Sequence, residues 1–330
     1  MRFTIAIVLA IVSAVICGCN STGQIPLDIP PPQMPEPAKP APKMEYKRDR
    51  ELEKQFADIA KDAQGRVGAA AVVLDTGEAA LLNADEHYPM QSVYKLPIAM
   101  AMMEEIRQGN HELDEKVGVT KDDMVPVGFS SFLRDKAPAG GEFTIRDLIV
   151  FSLVYSDGTA SDVLLRVLKN PAEVQSFLTQ IGVRDMKVVN TEKEVARQWQ
   201  LQYDNWATPA ASIDLLSWLD KDAKGWRAPA DDEASNSEFL LQLMAMSTPG
   251  RRRIKKLLPL DETSVVAHKT GTGGTHGDGI DTATNDIGII YTPKRKIAIA
   301  VYVSDSRADE RTREGIIAKI AKAAWDRWNE

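Results

Sequence analysis

The sequence predicts a mixed α/β (α+β) fold in which one antiparallel sheet is built from both ends of the chain. An all-helical subdomain is predicted between those ends. Three observations predict this arrangement: a strand-like hairpin lies near residue 70, three strand-like runs follow residue 262, and the long middle has helical hydrophobic spacing. We therefore expect a sheet part at about 45–91 and 259–330, a helical part at about 92–258, and a site at their seam.

Residues 1–18 have the pattern of an export signal. Arg2 precedes an apolar run that is too short, and lacks the flanking residues, for a typical transmembrane helix. The run ends in Ile-Cys-Gly-Cys, which resembles a bacterial lipobox whose last cysteine, here Cys19, is lipidated and becomes the N-terminus. We therefore expect a membrane-anchored lipoprotein that faces the periplasm, and Asn20 favours sorting to the outer membrane if the cell is Gram-negative.

Residues 19–44 are predicted to form a linker. The segment contains "IPLDIPPPQMPEPAKPAPK", and proline-rich chains of this kind are semi-rigid, extended spacers with few backbone donors. The linker would hold a domain of residues 45–330 away from the membrane. Because Cys17 and Cys19 are the only cysteines, the mature chain would have no internal disulfide, and the fold must be stabilised by its core.

The sheet part has a helix at each end. Leu52, Phe56 and Ile59 recur at helical spacing and predict the first helix. The run "RVGAAAVVLDTGEAALLN" then predicts a hairpin with its turn at residues 75–77. Near the C-terminus, three strands and a closing amphipathic helix are predicted from "TSVVAHKT", "NDIGIIYTP", "KIAIAVYVS" and "EGIIAKIAKAAWDRW".

The middle of the chain is predicted to be helical with long loops, and it shows no convincing β-hairpin. The segments that predict helices are "LPIAMAMMEEIRQG", "IRDLIVFSLVYS", "ASDVLLRVL", "AEVQSFLTQIG", "TPAASIDLLSWLD" and "SEFLLQLMAMS".

The charge of the chain argues against a nucleic-acid partner. Its 330 residues include 40 Lys and Arg against 47 Asp and Glu, so the formal net charge is −7, and the one dense basic cluster is residues 251–253. The four histidines lack the spacing of a metal site. We expect a monomer that needs no cofactor and binds no nucleic acid.

The motif "SVYK" places a hydroxyl and an amine one helical turn apart. Ser92 and Lys95 would share a face of a helix, close enough to exchange a proton, which is one way to activate a serine without histidine. Taken alone, the pattern more often marks a helix cap followed by a solvated lysine. Other motifs must therefore decide its meaning.

Two further motifs make a catalytic interpretation of "SVYK" stronger. Ser156 and Asp157 lie in "YSDGTASD", in a turn between two helical runs, and Lys269 begins "KTGTGG" on a late strand. In this order the three motifs resemble those of the class A serine β-lactamases, within the penicillin-recognising serine enzymes. The resemblance runs from about residue 50 to the C-terminus, and "QYDNWATP" is most similar to the PER-type extended-spectrum branch.

The resemblance implies a role for each motif residue. Ser92 would be the nucleophile, Lys95 would relay its proton, and Ser156 would pass a proton to the departing lactam nitrogen. The amides of Ser92 and Thr272 would form the oxyanion hole. Glu192, thirty-six positions after Ser156 in the predicted Ω loop, would activate the water that releases the acyl group.

A second group would bind the substrate. Lys269, Thr270, Gly271 and Thr272 would line the site of its carboxylate, with Arg253 supporting them. For Arg253 a solvated basic cluster is an equal alternative. Phe129, in "VPVGFSSF", would be an aromatic wall at the mouth, although loop packing explains a phenylalanine there at least as well.

Three positions depart from the family pattern. Gly158 replaces the asparagine of the Ser-Asp-Asn motif, whose amide normally contacts the substrate side chain and the lysine. Ala196 stands where many members have an asparagine that holds the hydrolytic water, which implies slower deacylation. Asn190 replaces the arginine that usually fastens the Ω loop to an aspartate, so that loop must be held in another way.

Two rival functions remain open at this point. A penicillin-binding DD-peptidase or a lactam sensor would be acylated at the same serine but would deacylate slowly, and only Glu192 argues against it. A catalytically inactive envelope protein could use the fold for binding, although the intact motifs make this improbable.

Overall fold

A computed structural model describes residues 38–40, 44–223 and 235–329 of the chain. The predicted export signal, Cys19 and most of the predicted linker lie outside these residues. Residues 35–330 make one compact unit. Within the described ranges, no helix is both long enough and apolar enough to cross a bilayer.

The described α-helices are α1 (Arg50–Ala60), α2 (Lys95–Arg107), α3 (Phe132–Lys136), α4 (Ile145–Val154), α5 (Gly158–Val167), α6 (Pro171–Gln180), α7 (Glu192–Arg197), α8 (Pro209–Asp222), α9 (Asn236–Ala245) and α10 (Glu310–Trp328). Short 3₁₀ helices span Lys61–Ala63, Gln91–Tyr94, Lys121–Asp123, Trp199–Tyr203 and Ile254–Leu257. The described strands are β1 (Lys47–Arg48), β2 (Arg66–Val73), β3 (Glu78–Leu82), β4 (Tyr88–Pro89), β5 (Lys116–Val119), β6 (Gly141–Thr144), β7 (Met186–Lys187), β8 (Trp206–Ala207), β9 (Val265–Thr272), β10 (Asp281–Tyr291) and β11 (Lys296–Ser306).

The main sheet has six strands in the order β1-β3-β2-β11-β10-β9. Its pairs are antiparallel except for the short parallel pair of β1 with β3. Strand β2, from the start of the domain, pairs with β11, from its end. This pairing confirms the prediction that both ends of the chain complete one sheet.

Two apolar clusters cover the two faces of this sheet. Along β2, Ala70 and Val72 belong to the cluster shared with the inserted helices, whereas Ala69, Ala71 and Val73 belong to the cluster under α1 and α10. Successive side chains of a strand point to opposite faces, so a strand that is covered on both sides is apolar throughout. For this reason the central strands read as continuous small or β-branched runs.

The inserted part contains the six predicted helices as α2, α4, α5, α6, α8 and α9. It also contains paired strands, β5 with β6 and β7 with β8, so the expectation of an all-helical insert was wrong in this detail. Strand β8 also pairs with β4, which precedes the insert. Strands of two to four residues are too short to show an alternating pattern. The fold class itself is confirmed, and helix α2, buried on almost every side, runs through the insert.

The described part of the predicted linker contacts the helical insert. The amide of Ala38 donates to Glu104 Oε1 at 3.2 Å, and Gln180 Nε2 donates to the carbonyl of Ala38 at 3.0 Å. The indole of Trp218 donates to the carbonyl of Lys39 at 2.9 Å. The globular unit therefore includes residues that were predicted to be spacer.

Candidate active site

The predicted serine and lysine meet at the seam between sheet and helical insert. Ser92 lies in the 3₁₀ turn Gln91–Tyr94, and Lys95 is the first residue of α2, so the serine precedes the α-helix instead of starting it. The one-turn separation is kept, and Lys95 Nζ donates to Ser92 Oγ at 2.6 Å. Only 1% of Lys95 is exposed, so its amine depends on protein partners for hydrogen bonds.

Glu192 reaches the same lysine from the segment 190–209. Lys95 Nζ donates to Glu192 Oε1 at 2.5 Å, and the lysine therefore bridges the hydroxyl and the carboxylate. Glu192 is the first residue of α7, whose start is fixed by a capping box between Thr191 and Glu194. A single hydrogen-bonded chain thus connects a hydroxyl, an amine and a carboxylate.

The backbone at Glu192 is held by a residue that the sequence analysis missed. Asp162, on α5, accepts the amide of Glu192 at 2.8 Å and the amide of Lys193 at 3.0 Å. Burial raises the pKa of Asp162 to about 7, the two amide hydrogen bonds oppose this rise, and the nearby Glu192 carboxylate adds to it. The buried carboxyl group of Asp162 therefore contacts the backbone that carries the candidate base, Glu192.

Ser156 lies on the opposite wall, between α4 and α5. Its φ of +59° is unusual for a residue with a side chain, and the neighbouring Asp157 fixes this turn because it accepts the amides of Leu133 and Ala160. Lys269 Nζ donates to Ser156 Oγ at 2.9 Å. The turn therefore aims a hydroxyl at the lysine of the late strand.

Lys269 carries a buried amine. Burial lowers the pKa of its amine well below the ordinary value, the positive charge of Lys95 lowers it further, and Asp286 opposes the change. In β9 the lysine is paired with Ile287 of β10, and its side chain is fully buried. The pairing of two long strands gives this amine a fixed position.

Arg253 supports the end of β9. Its guanidinium donates to the carbonyls of Gly271 and Asn285 at 3.1 and 2.9 Å and to Thr272 Oγ1 at 2.7 Å. Arg253 is only 3% exposed and also pairs with Glu314. The alternative of a solvated basic cluster is therefore wrong for Arg253.

A cavity of about 520 Å³ lies at this site. Of the predicted site residues, the cavity is lined by Ser92, Lys95, Phe129, Ser156, Glu192, Thr270 and Thr272. Lys269, Gly271, Arg253 and Gly158 are absent from the lining. In the described parts of the chain, no three His, Cys, Asp or Glu side chains are arranged to hold a metal ion.

Comparison with known proteins assigns the chain to a family. The Beta-lactamase enzyme family matches residues 51–328. The chain belongs to this family. Among its relatives, β-lactamase VEB-1 of Pseudomonas aeruginosa is 33% identical over 275 residues, which are 82% of this chain and 88% of that protein. The extended-spectrum β-lactamase PER-1 of Pseudomonas aeruginosa is 33% identical over 277 residues, 83% of this chain and 86% of that protein.

Solved structures agree with this assignment. The TLA-3 extended-spectrum β-lactamase matches with a TM-score of 0.79 and 36% identity, over 85% of this chain and 99% of that one. A β-lactamase from Chitinophaga pinensis matches with a TM-score of 0.77 and 34% identity, over 84% of this chain and 99% of that one. The predicted family, a PER-like class A serine β-lactamase, is confirmed.

Two glycines of this β-lactamase show why the motifs need them. A Cβ on Gly271 would lie 2.2 Å from the carbonyl oxygen of Met90, so glycine allows β9 to pass close to the segment before Ser92. Gly158 is the first residue of α5 and was predicted to lie in a turn. A Cβ there would lie 3.1 Å from Glu192 Cγ, so this departure from the family motif leaves space beside the Glu192 side chain.

The predicted Ω loop is fastened without the usual arginine. Asn190 Nδ2 donates to the carbonyl of Leu201 at 3.0 Å and to Asp204 Oδ2 at 3.2 Å. The side chain of Asn205 accepts the amides of Val189 and Asn190 and donates back to the carbonyl of Asn190. The side-chain amides of Asn190 and Asn205 thus hold the predicted Ω loop in place of the arginine.

The cavity has further lining residues that sequence reasoning missed: Gln91, Gly128, Ser130, Tyr155, Val195, Trp199, Gln202, Pro249, Gly273 and Gly274. Most of them lie in loops without periodicity, where spacing gives no signal. Asp162 did have a signal, because it is a lone acid in the apolar run "ASDVLLRV" of a helix.

Proposed function

We propose that the protein hydrolyses the lactam amide of β-lactam antibiotics through an acyl-enzyme on Ser92. The observation that carries this proposal is the bridge formed by Lys95 Nζ between Ser92 Oγ and Glu192 Oε1, in a member of the β-lactamase family. Such a chain can move a proton away from the serine and later from a water.

Acylation would use the lysine side of the site. As Ser92 Oγ attacks the lactam carbonyl, its proton would pass to Lys95 while Lys95 passes one of its own protons to Glu192, and the amides of Ser92 and Thr272 would stabilise the oxyanion. The C–N bond of the lactam then breaks, and the nitrogen takes a proton from Ser156. The proton held by Glu192 would return through Lys95 to Ser156, which restores the carboxylate. Lys269, hydrogen-bonded to Ser156 Oγ, supports this transfer by holding the hydroxyl in place.

Deacylation would use Glu192. Its carboxylate would take a proton from a water as the water oxygen attacks the acyl carbonyl. The ester bond between the acyl carbon and Ser92 Oγ would then break, and Ser92 Oγ would take up the proton as it leaves. A DD-peptidase or lactam sensor needs no such base at this position. The names of the relatives also favour hydrolysis, since they are β-lactamases.

The carboxylate of the substrate would bind at the end of β9. Thr270 and Thr272 lie on the cavity wall, and the amine of Lys269 and the guanidinium of Arg253 are buried outside the lining. Cations near hydroxyl donors favour an anionic group at this wall.

Glu192→Gln tests the proposal. The change keeps the size and polarity of the side chain and removes its basicity, so a stoichiometric burst should be followed by a long-lived adduct on Ser92 while the parent turns over. Intact-protein mass and turnover of a chromogenic cephalosporin measure both. Glu194→Gln, on the same helix, is the matched control and should turn over. A Glu192→Gln variant with the parental rate would refute the role of this carboxylate.

We also propose that the protein is exported and tethered to a membrane through lipidated Cys19, as a monomer facing the periplasm. The support is the lipobox-like "ICGC" and the proline-rich segment after it. Cys19→Ser should move the protein from the membrane fraction to the soluble fraction, whereas the control Cys17→Ser should not. Unchanged membrane association of Cys19→Ser would contradict lipidation, and light scattering of the purified protein tests the monomer.

A further inference from the structure

A histidine and an aspartate are buried together behind the strand that carries the substrate-binding motif. His268 on β9 and Asp286 on β10 are both 0% exposed, and His268 Nδ1 lies 2.9 Å from each carboxylate oxygen. Neither residue lines the cavity described above. Burying polar groups costs free energy that hydrogen bonds between them only partly offset, so such a pair is more readily explained by the geometry that it fixes than by stability.

The pair holds the turn of residues 250–254. Asp286 Oδ2 accepts the amide of Ile254 at 3.3 Å. On the other side of the turn, Gly250 has a φ of +82°, and a Cβ added there would lie 2.4 Å from Thr270 Cγ2 and 3.2 Å from His268 Cε1. The turn is therefore packed directly on the pair and bonded to it.

Arg253 extends from this turn to the end of β9. The residue next to it in sequence, Ile254, is the one whose amide is held by Asp286, and the guanidinium of Arg253 reaches Gly271 O and Thr272 Oγ1. A shift of the turn would move these contacts. We propose that His268 and Asp286 are positioning residues that fix the 250–254 turn, so that Arg253 holds Thr272 and the carboxylate-binding wall in register with Ser92.

The carboxylate of Asp286 lies near several basic side chains. Lys269 from β9, and Arg253 and Lys255 from the turn, bring positive charge near Asp286, whose carboxylate opposes the lowering of the pKa of both lysines. Among the described residues, Nε2 of His268 has no hydrogen-bond partner. The only polar contact of the ring in this part of the chain is therefore that of Nδ1 with the carboxylate of Asp286, which it orients. An apolar pair would leave the amide of Ile254 unpaired.

This inference rests on the proposed function, and its test uses a cephalosporin and the ester of the same cephalosporin, which lacks the anionic carboxylate. His268→Leu should lower kcat/KM for the carboxylate form about tenfold with kcat within about twofold, because it removes binding shared by ground state and transition state. For the ester the change should stay within about twofold. His268→Asn keeps a donor toward Asp286 and should recover most of the loss.

A double-mutant cycle separates positioning from general damage. If the pair acts through Arg253, adding His268→Leu to Arg253→Ala should change kcat/KM by less than about twofold. Tyr302→Phe is the matched control, because it removes another buried hydrogen bond of the sheet, to Ser212 at 2.8 Å, away from this turn. The control should lower stability without discriminating between acid and ester.

Several results would overturn the inference. Additive losses in the cycle, equal losses on acid and ester, or the same discrimination by Tyr302→Phe would each do so. If His268→Leu does not fold, Asp286→Asn tests the pair instead. It leaves one acceptor oxygen for two donors, His268 Nδ1 and the amide of Ile254, and should give the same selective loss; an unselective loss counts against the proposal. A parent that hydrolyses no lactam refutes the proposed function, whereas an active parent with additive losses refutes only this inference.

Discussion

Gly158 controls how much space Glu192 has. A Cβ at this position would lie 3.1 Å from Glu192 Cγ and 3.2 Å from the carbonyl of Ser130, which is tighter than ordinary packing. We predict that Gly158→Ala displaces Glu192 and lowers kcat about threefold to tenfold, because small displacements of a base are costly. Overpacking should also cost about 1 kcal/mol in stability. Single-turnover kinetics and thermal unfolding measure the two effects.

The control for this prediction is Gly315→Ala in α10. A Cβ at Gly315 would meet nothing within 4 Å, so alanine there should leave kcat unchanged and stabilise the helix by up to about 1 kcal/mol. Parental kcat in Gly158→Ala would show that Glu192 tolerates the contact.

Asp162 should make stability depend on pH. Its pKa is raised to about 7 by burial and by Glu192, so between about pH 4 and pH 7 the folded protein holds a proton that the unfolded chain has lost. The contribution of this group to the free energy of unfolding therefore falls as pH rises through this window and is constant above it, with a slope on the order of 1 kcal/mol per pH unit.

Asp162→Asn removes this titration. Urea unfolding at several pH values should show that the stability of the variant relative to the parent improves from pH 4 to pH 7, even if the loss of one acceptor lowers it at every pH. Parallel pH profiles of variant and parent would mean that Asp162 does not titrate in this range.

The segment between β7 and β8 shows how an element can be held by side-chain amides. Asn205 is 3% exposed and makes three hydrogen bonds to the backbone of residues 189 and 190, which directly precede the helix of Glu192. We predict that Asn205→Ala loosens this segment, costs about 1–3 kcal/mol through unpaired backbone groups, and slows deacylation more than acylation. Pre-steady-state kinetics separates the two steps.

A matched control is Gln202→Ala in the same segment, which keeps the Asn190–Asn205 contacts. It removes the bond from Gln91 Nε2 to Gln202 Oε1 at 2.9 Å on the cavity wall. This control should leave the anchoring of α7 intact. Equal slowing of acylation and deacylation by Asn205→Ala would contradict a role confined to this segment.

The elements that could be predicted from the sequence are those whose own residues form a recognisable pattern. The five long strands and the long helices carry periodic apolar patterns, and the three motifs lie where these elements begin, end or turn. By contrast, β7 and β8 have two residues each, and Trp199 and Tyr155 reach the cavity only because distant segments pack together. Asp162 was missed because its role depends on an amide thirty residues away.

At the scale of the whole molecule, the described end of the proline-rich segment is bound to the helical insert. The carbonyls of Ala38 and Lys39 accept hydrogen bonds from Gln180 of α6 and Trp218 of α8, and a Cβ on Gly182 would touch the ring of Pro40 at 3.3 Å. Ala38 packs half-buried against the apolar core, whereas Lys39 and Pro40 are exposed, so the hydrogen bonds provide much of the attachment of this segment. A tether would then begin before residue 38 and not at residue 44.

We predict that the double variant Gln180→Ala/Trp218→Phe releases this segment while lactam turnover stays parental. Each lost hydrogen bond is worth about 1 kcal/mol, so the opened population should rise about fivefold per bond, and a low-specificity protease should cut near residues 38–40 correspondingly faster. Mass spectrometry of the fragments locates the cuts. Gln175→Ala is the control, because Gln175 lies on the same helix but donates to Met186 O. Unchanged cleavage in the double variant would mean that other contacts, such as the bond from Ala38 to Glu104, hold the segment alone.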